Sequence, residues 1–211
     1  MQKNVYVILS HAGTITAGLI KRVTHAEYSH ASICFDDSFK EFYSFGRRFM
    51  LTPLFGGFVR ETLDTGMLGH YQTSQICILK IETTAEKYYK AKAYVEEMYS
   101  NKNQYKYNYL GVLLAAVNKS YRQKNHFYCS EFVADVLKSY RIIEGNSLSE
   151  VVKPMDLLSL ENAKIVYKGL TSKLRNDPVF DISIIKRQFL AVNNTENVTE
   201  LQNNCIKYII I

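Results

Sequence analysis

The sequence predicts an α+β domain in which an antiparallel sheet packs against helices. Its 211 residues are 47% hydrophobic, which is enough to form one buried core. Short segments rich in β-branched and aromatic residues recur through the first 81 residues, as strands do. Apolar residues at helical spacing then dominate from residue 84 to residue 140. Strands grouped before helices are typical of the α+β class.

Four strands are expected in the first part of the chain. NVYVILSH predicts the first strand, and TITAGLIKRVTH after it predicts a helix. ASICFDD and KEFYSFG alternate as strands do and are separated by a polar turn, so they predict a hairpin. QICILKI predicts another strand. Residues 52–70 hold one proline and four glycines and are expected to form an ordered loop.

Three helices are expected in the second part. TAEKYYKAKAYVEEMYS has one apolar face, YKYNYLGVLLAAVNK predicts a more buried helix, and a third begins within HFYCSEFVADVL. PMDLLSL predicts a short helical turn and AKIVYKGL a strand. We place the principal domain at residues 1–170 and a C-terminal extension, whose role the sequence does not reveal, at residues 171–211.

The charge and hydropathy of the sequence exclude several classes of protein. The 26 Lys and Arg residues exceed the 20 Asp and Glu residues, for a formal charge of +6, but the basic residues are scattered. We therefore expect no nucleic-acid partner. The apolar runs Val5–Leu9 and Tyr109–Val117 are too short for a signal peptide core and for a membrane span. The expectation is a cytoplasmic protein without a transmembrane segment, whose four cysteines stay reduced.

Cys129 is the candidate nucleophile. The stretch HFYCSEFVADVL places it in the first turn of a helix, where unpaired backbone N–H groups and the helix dipole favour a thiolate. Cys34 and Cys77 lie within predicted strands, and Cys205 lies near the end of the chain. Cys129 is thus the one cysteine at a position where the backbone could activate it.

A thiolate nucleophile needs a general base, and His30 is the candidate because it starts a well-formed strand. His126 precedes the helix in an extended run, and the remaining histidines, His11, His25 and His70, fall in predicted loops or helix ends. His25 and His30 are the closest imidazole pair, but no Cys or carboxylate spacing completes a metal site. We expect neither a metal nor a cofactor.

Three stretches in this order, YSHASICFDD, FYSFGRR and HFYCSEFVADVL, resemble the circularly permuted papain-like amidases of the YaeF/YiiX type, which belong to the NlpC superfamily. In the ordinary papain arrangement the cysteine helix comes first, whereas the permuted members place the histidine strand first, as His30 and Cys129 are placed here. The resemblance covers residues 5 to 170. It implies a papain-like sheet packed against a helix with the cysteine at its N-terminus.

The resemblance also implies roles for the site residues. Cys129 would be the nucleophile and His30 its partner, with the Cys129 backbone N–H helping to hold an oxyanion. In relatives a Glu or His precedes a small residue on the next strand and orients the histidine. Tyr43 before Ser44 fills that place here, and Glu41 on the same strand face is the alternative. Which of the two orients His30 stays open.

Two functions from different classes follow. The first is a cysteine hydrolase or acyltransferase that forms a thioester with a peptide amide or an acyl lipid. The second is a non-catalytic module of the same fold that recognises a peptide or an acyl group in its groove. Neither the substrate nor the oligomeric state follows from the sequence.

Overall fold

The computed structural model describes residues 1–11, 26–48, 56–63, 65 and 74–175. The chain divides into two compact units, the first at Met1–Leu174 and the second at Arg175–Ile211. The helix predicted at 14–25 and the strand VFDISII, which belongs to the predicted extension, lie outside the described residues. His25, His70 and Cys205 lie outside them as well.

The described residues form one sheet of eight strands: β1 Gln2–Ser10, β2 His30–Cys34, β3 Phe42–Arg47, β4 Gly56–Glu61, β5 Gln75–Thr84, β6 Lys106–Tyr107, β7 His126–Phe127 and β8 Ala163–Leu170. Their spatial order is β7-β6-β4-β3-β2-β1-β5-β8. All neighbouring strands are antiparallel except β6 and β7, which are parallel. The predicted strand pair around residues 31 to 45 is confirmed as β2 and β3.

The described part of the chain also contains four helices: α1 Ala85–Ser100, α2 Tyr109–Ala116, α3 Cys129–Ser139 and α4 Thr171–Arg175. Short 3₁₀ turns occupy Lys102–Gln104 and Pro154–Ser159. The α+β class is therefore confirmed, with a mostly antiparallel open sheet. The predicted turn at PMDLLSL and the strand at AKIVYKGL are confirmed too.

Helix α1 starts where the sequence predicts it. The side chain of Thr84 accepts a hydrogen bond from the backbone N–H of Lys87 at 3.3 Å, which satisfies one donor at the helix start. Its buried face consists of Tyr88, Ala91, Val95 and Met98, at helical spacing. These side chains join the core that lies on one face of the sheet.

Helix α3 positions the site because its apolar face is fixed in the same core. Phe132, Val133, Val136 and Leu137 are almost completely buried, and they share the core with Ala31 and other residues of β1 to β3. Phe132 packs edge-on against Phe58 at 5.1 Å between ring centroids. Rigid packing of this kind holds the first turn of α3 against the end of β2.

Strand β4 corrects the predicted loop at residues 52–70. Gly56–Glu61 pairs along its whole length with β3, and Phe58 is buried opposite Phe45. The glycines at 56 and 57 made this segment resemble a loop. The aromatic and branched residues that follow them supply the packing that makes it a strand.

Helix α2 corrects the prediction of a buried helix. Gly111 and Ala115 are its buried residues, whereas Leu113 is 67% exposed. The helix is also shorter than predicted. It begins after Asn108, whose side chain accepts a hydrogen bond from the Gly111 N–H at 2.8 Å. Its apolar composition therefore does not reflect burial in the described core.

Within the described ranges, no helix combines the length and the apolar character needed to cross a lipid bilayer.

Candidate active site

Cys129 is the first residue of α3, as the sequence predicts. The preceding Tyr128 has an extended backbone, and its N–H donates a hydrogen bond to the Glu131 carboxylate at 3.2 Å. This contact fixes the start of the helix at Cys129. The thiol is only 4% exposed, and it lies at the positive end of the helix dipole, which favours negative charge on sulfur.

The structure brings Cys129 and His30 together. The His30 imidazole and the Cys129 thiol lie close enough for each to shift the pKa of the other through hydrogen bonding and charge. His30 is the first residue of β2 and is 6% exposed. Two residues separated by about a hundred positions in the sequence thus form one buried pair.

The surroundings of Cys129 favour its thiolate. Burial alone would raise the pKa of the thiol, but the hydrogen bond and charge of His30 lower it. Backbone N–H groups of Ala31 and Ser130 lower it further, and the pKa of Cys129 ends below its ordinary value. The thiolate is therefore available at a lower pH than in an ordinary cysteine.

The surroundings of His30 favour its imidazolium. Burial lowers the pKa of His30, but the hydrogen bond and charge of Cys129 and the charge of Glu61 outweigh burial and an opposing effect of Arg47. The pKa of His30 is therefore raised above its ordinary value. The lowered pKa of the thiol and the raised pKa of the imidazole both favour the form of the pair in which Cys129 is a thiolate and His30 an imidazolium.

Ser44 and Glu61 hold the other side of the imidazole. Ser44 Oγ donates to the carbonyl oxygen of Ala31 at 2.9 Å, so it accepts from His30 Nε2, which lies 3.1 Å away. A carboxylate oxygen of Glu61 lies 3.8 Å from the same nitrogen. Because Nε2 is engaged on this side, Nδ1 is the ring atom available to the thiol.

Tyr43 and Glu41, the two residues considered for orienting His30, contact other groups. The Tyr43 hydroxyl donates to Glu41 at 3.3 Å, and Glu41 forms an ion pair with Arg60 at 3.1 Å. The Tyr43 ring stacks on Phe58, with centroids 6.2 Å apart. The structure instead places Ser44 and Glu61 at the imidazole.

Strand register explains this placement. Tyr43 pairs with Ile33, so the two share a sheet face, and alternation puts His30 and Ser44 on the other face. Glu61 pairs with Phe42, which lies two residues before Ser44, so Glu61 and Ser44 lie on the same face of the sheet. Alternation along β3 puts Tyr43 and Ser44 on opposite faces, but the register that decides which of them faces His30 does not follow from the sequence. Glu61 gave no signal because β4 was not predicted.

The sheet opens between β2 and β3 beside the thiol. Among the described residues these strands pair at Ile33 and Tyr43 alone. One step closer to the site, the backbone N–H of Ala31 lowers the pKa of Cys129, and the Ala31 C=O accepts a hydrogen bond from the Ser44 hydroxyl. Side chains of the site thus replace the next ladder hydrogen bonds. This opening lets His30 meet a helix that packs on the Ala31 and Ile33 face.

Two other described cysteines lack this activation. The Cys34 thiol donates to the Asp36 carbonyl oxygen at 3.1 Å, and burial raises the pKa of Cys34 to about 12. Burial likewise raises the pKa of Cys77. Of the thiols in the described ranges, Cys129 is the one whose pKa is lowered.

Tyr107 is a site residue that sequence reasoning missed. Burial, followed by the charge of Cys129, raises the pKa of this phenol well above its ordinary value, so the hydroxyl stays protonated near the thiolate. Tyr107 lies in β6, a two-residue strand with too little periodicity to be recognised. Its hydroxyl is a candidate hydrogen-bond donor to a developing oxyanion, beside the Cys129 N–H.

The hydrogen bond described for the His126 side chain goes to none of the residues around Cys129 and His30. Its Nδ1 donates to the Lys124 carbonyl oxygen at 2.8 Å, and the residue lies in the short strand before α3. In the described part of the chain, no group of three His, Cys, Asp or Glu side chains is arranged to hold a metal ion.

Comparisons with known proteins add no relative: no family model, curated protein or solved structure matches the chain.

Proposed function

We propose that the protein is a cysteine hydrolase or acyltransferase that acts on an amide or ester carbonyl through a thioester on Cys129. The observation that carries the proposal is the buried pair of Cys129 and His30, whose pKa values move in opposite directions. A thiolate at a helix N-terminus beside an imidazolium is the arrangement that thiol nucleophiles require.

The first half-reaction forms the thioester. The Cys129 thiolate attacks the carbonyl carbon and forms a C–S bond, while the carbonyl π electrons move to oxygen. The Cys129 N–H is placed to stabilise this oxyanion, and the protonated Tyr107 hydroxyl can assist. When the intermediate collapses, the C–N or C–O bond breaks and the leaving group takes a proton from the His30 imidazolium.

The second half-reaction releases the acyl group. His30, now neutral, removes a proton from water or from another acceptor as that oxygen or nitrogen attacks the thioester. The C–S bond then breaks, and the thiolate and imidazolium are restored. Ser44 and Glu61 support this cycle because they hold Nε2 in place and stabilise the imidazolium.

The resemblance to permuted papain-like amidases agrees with this proposal. The order of His30 before Cys129 is the permuted order, and residues 1–170 would form the catalytic domain. The family suggests peptide amides and acyl lipids as substrate classes.

Detection of the thioester tests the proposal directly. The full chain is incubated with a panel of peptide amides and acyl esters, and peptides are analysed by mass spectrometry. We expect turnover and an acyl mass on the Cys129 peptide that hydroxylamine removes. Cys129→Ala should abolish both, whereas Cys77→Ala, at another buried thiol, should retain them. Turnover that survives in Cys129→Ala would refute the proposal.

A non-catalytic binding module is the second candidate. It would bind the same peptides or acyl groups without forming a thioester. Unchanged binding in Cys129→Ala, together with no turnover on the panel and no faster alkylation of Cys129 than of a free thiol, would favour this function over the first.

A further inference from the structure

Helix α2 and the residue that ends it present several large apolar side chains to solvent. Leu110, Leu113 and Val117 are 48%, 67% and 64% exposed. Their spacing of three and four residues places them on one stripe of the helix. The residues that face inward are the small ones, Gly111 and Ala115. An amphipathic helix of a globular protein ordinarily has the opposite orientation, so this stripe indicates a surface that binds something apolar.

Positive charge flanks the stripe. From residue 102 to residue 126 the sequence contains no Asp or Glu but has five basic residues: Lys102, Lys106, Lys119, Arg122 and Lys124. Lys106, Lys119 and Lys124 are exposed. Within the described ranges, no carboxylate forms an ion pair with these three. Their charges are therefore available to an anionic partner.

A cleft beside α2 is lined by both apolar and basic side chains. It has a volume of about 560 Å³, and its lining includes Lys106, Tyr107, Tyr109, Leu110 and His126. The ring centroids of Tyr107 and Tyr109 are 4.8 Å apart. Tyr109 begins α2 and Tyr107 lies near Cys129, so the cleft extends from the helix toward the candidate active site. Leu110 belongs to both the stripe and the cleft lining, and Lys106 also lines the cleft. We call the apolar stripe, the basic residues and the cleft together the α2 surface.

We propose that the α2 surface docks on a bilayer that contains anionic phospholipid. Leu110, Leu113 and Val117 insert below the headgroups, while Lys106 and Lys119 contact lipid phosphates. Amphipathic helices bind membrane interfaces through this combination of buried apolar area and attraction to anionic lipid. The helix lies in the plane of the interface and does not cross the bilayer.

Charge complementarity favours a membrane over a second copy of the chain. In a two-fold symmetric dimer the same patch meets itself, so the lysines around the stripe would approach the lysines of the other copy. Like charges placed opposite each other oppose such an association. An anionic bilayer offers the complementary charge and an apolar interior together.

Membrane docking does not require catalysis by Cys129. One extension does rest on the proposed function: if Cys129 forms a thioester, acyl esters of the docked bilayer are the substrates delivered to the cleft. Binding and turnover are measured separately, so either proposal can fail without the other. Cys129→Ala should bind vesicles as the parent does.

Vesicle flotation of the full chain tests the docking. We compare vesicles of phosphatidylcholine with vesicles that also contain about 30% phosphatidylserine, and expect binding to the second kind that weakens with salt. Leu113→Ser should weaken binding by about tenfold or more, because it removes an inserted apolar side chain. Leu113→Phe should keep it. Lys106→Gln with Lys119→Gln should weaken it by about 25-fold, at about 1 kcal/mol for each lysine.

Matched controls lie elsewhere on the protein. Ile165 on β8 is an aliphatic residue exposed to 58%, so Ile165→Ser should leave binding unchanged. Lys40→Gln with Lys164→Gln removes the same charge from other exposed positions and should have little effect. Circular dichroism melts confirm that each variant is folded.

Three results would overturn the proposal. The first is equal binding of the parent and Leu113→Ser to anionic vesicles. The second is a dimer in light scattering that Leu113→Ser dissociates, which would make a second copy the occupant. The third is cross-linking of Lys106 or Lys119 to residues 176–211 in the vesicle-free monomer, which would make the chain's own C-terminal segment the occupant.

Discussion

Replacing Glu61 by Gln keeps the size of the side chain and removes one negative charge beside His30. The Glu61 carboxylate lies 3.8 Å from His30 Nε2, and both side chains are almost completely buried. At an effective dielectric constant of about 20, two unit charges at this separation attract each other by about 4 kcal/mol. Since about 1.4 kcal/mol corresponds to a factor of ten, the imidazolium would lose up to about a thousandfold of its stabilisation.

The rate of alkylation of Cys129 by iodoacetamide, followed by peptide mass spectrometry across a pH series, measures this effect. In the parent, alkylation should begin below the ordinary thiol pKa, because the surroundings of Cys129 lower its pKa. In Glu61→Gln the imidazolium is weaker, so the alkylation profile should move to higher pH. Turnover should fall at every pH, most steeply above the reduced pKa of His30.

Glu41→Gln is the matched control. Glu41 pairs with Arg60 and is half exposed, so its loss should leave the alkylation profile unchanged. Ser44→Ala should give an intermediate shift, because it removes the hydrogen bond to Nε2 but no charge. A profile that moves in Glu41→Gln and stays in place in Glu61→Gln would refute the assignment of Glu61 and restore Glu41 as the orienting residue.

The pH dependence of kcat/KM should be bell-shaped, rising as pH passes the lowered pKa of Cys129 and falling as it passes the raised pKa of His30; a single rising limb would contradict the pair. Cys34→Ala should keep turnover within about twofold of the parent, because the raised pKa of Cys34 makes it a poor nucleophile; a large loss of turnover in steady-state assays would assign Cys34 a role. Tyr107→Phe should lower kcat by about a hundredfold with little change in KM if its hydroxyl binds the oxyanion; an equal rise in KM would indicate substrate binding instead. Phe132→Ala should cost about 3–5 kcal/mol in urea unfolding, because Phe132 is completely buried; a loss below about 1 kcal/mol would show that the core refills the cavity.

The proximity of Cys129 and His30 could be predicted from the sequence because local signals mark both residues. The amphipathic pattern after Cys129 fixes the helix start, and alternation around His30 fixes the strand. The β-branched content of β1 and the apolar face of α1 likewise identify these elements without long-range information. The α+β class followed from the order of such segments.

The residues that contact the His30 imidazole could not be predicted as reliably, because they depend on strand register. A shift of one residue along β3 exchanges Tyr43 for Ser44 at the imidazole, and the sequence does not state the register of a hairpin with a long turn. Glu61 comes from a strand whose glycines resemble a loop. The exposure of α2 was missed for another reason. An apolar sequence shows that side chains favour leaving water, but it does not show whether they are buried within the same chain.

Because the backbone N–H of Ala31 lowers the pKa of Cys129, this amide should sense the charge on the Cys129 sulfur. A thioester sulfur carries no negative charge and accepts hydrogen bonds more weakly than a thiolate. The amide resonance of Ala31 should therefore shift when the acyl group is attached and return when it is released, while Ser44 keeps the Ala31 carbonyl in place. Nuclear magnetic resonance of this single amide could follow formation and release of the proposed thioester with substrates that carry no label.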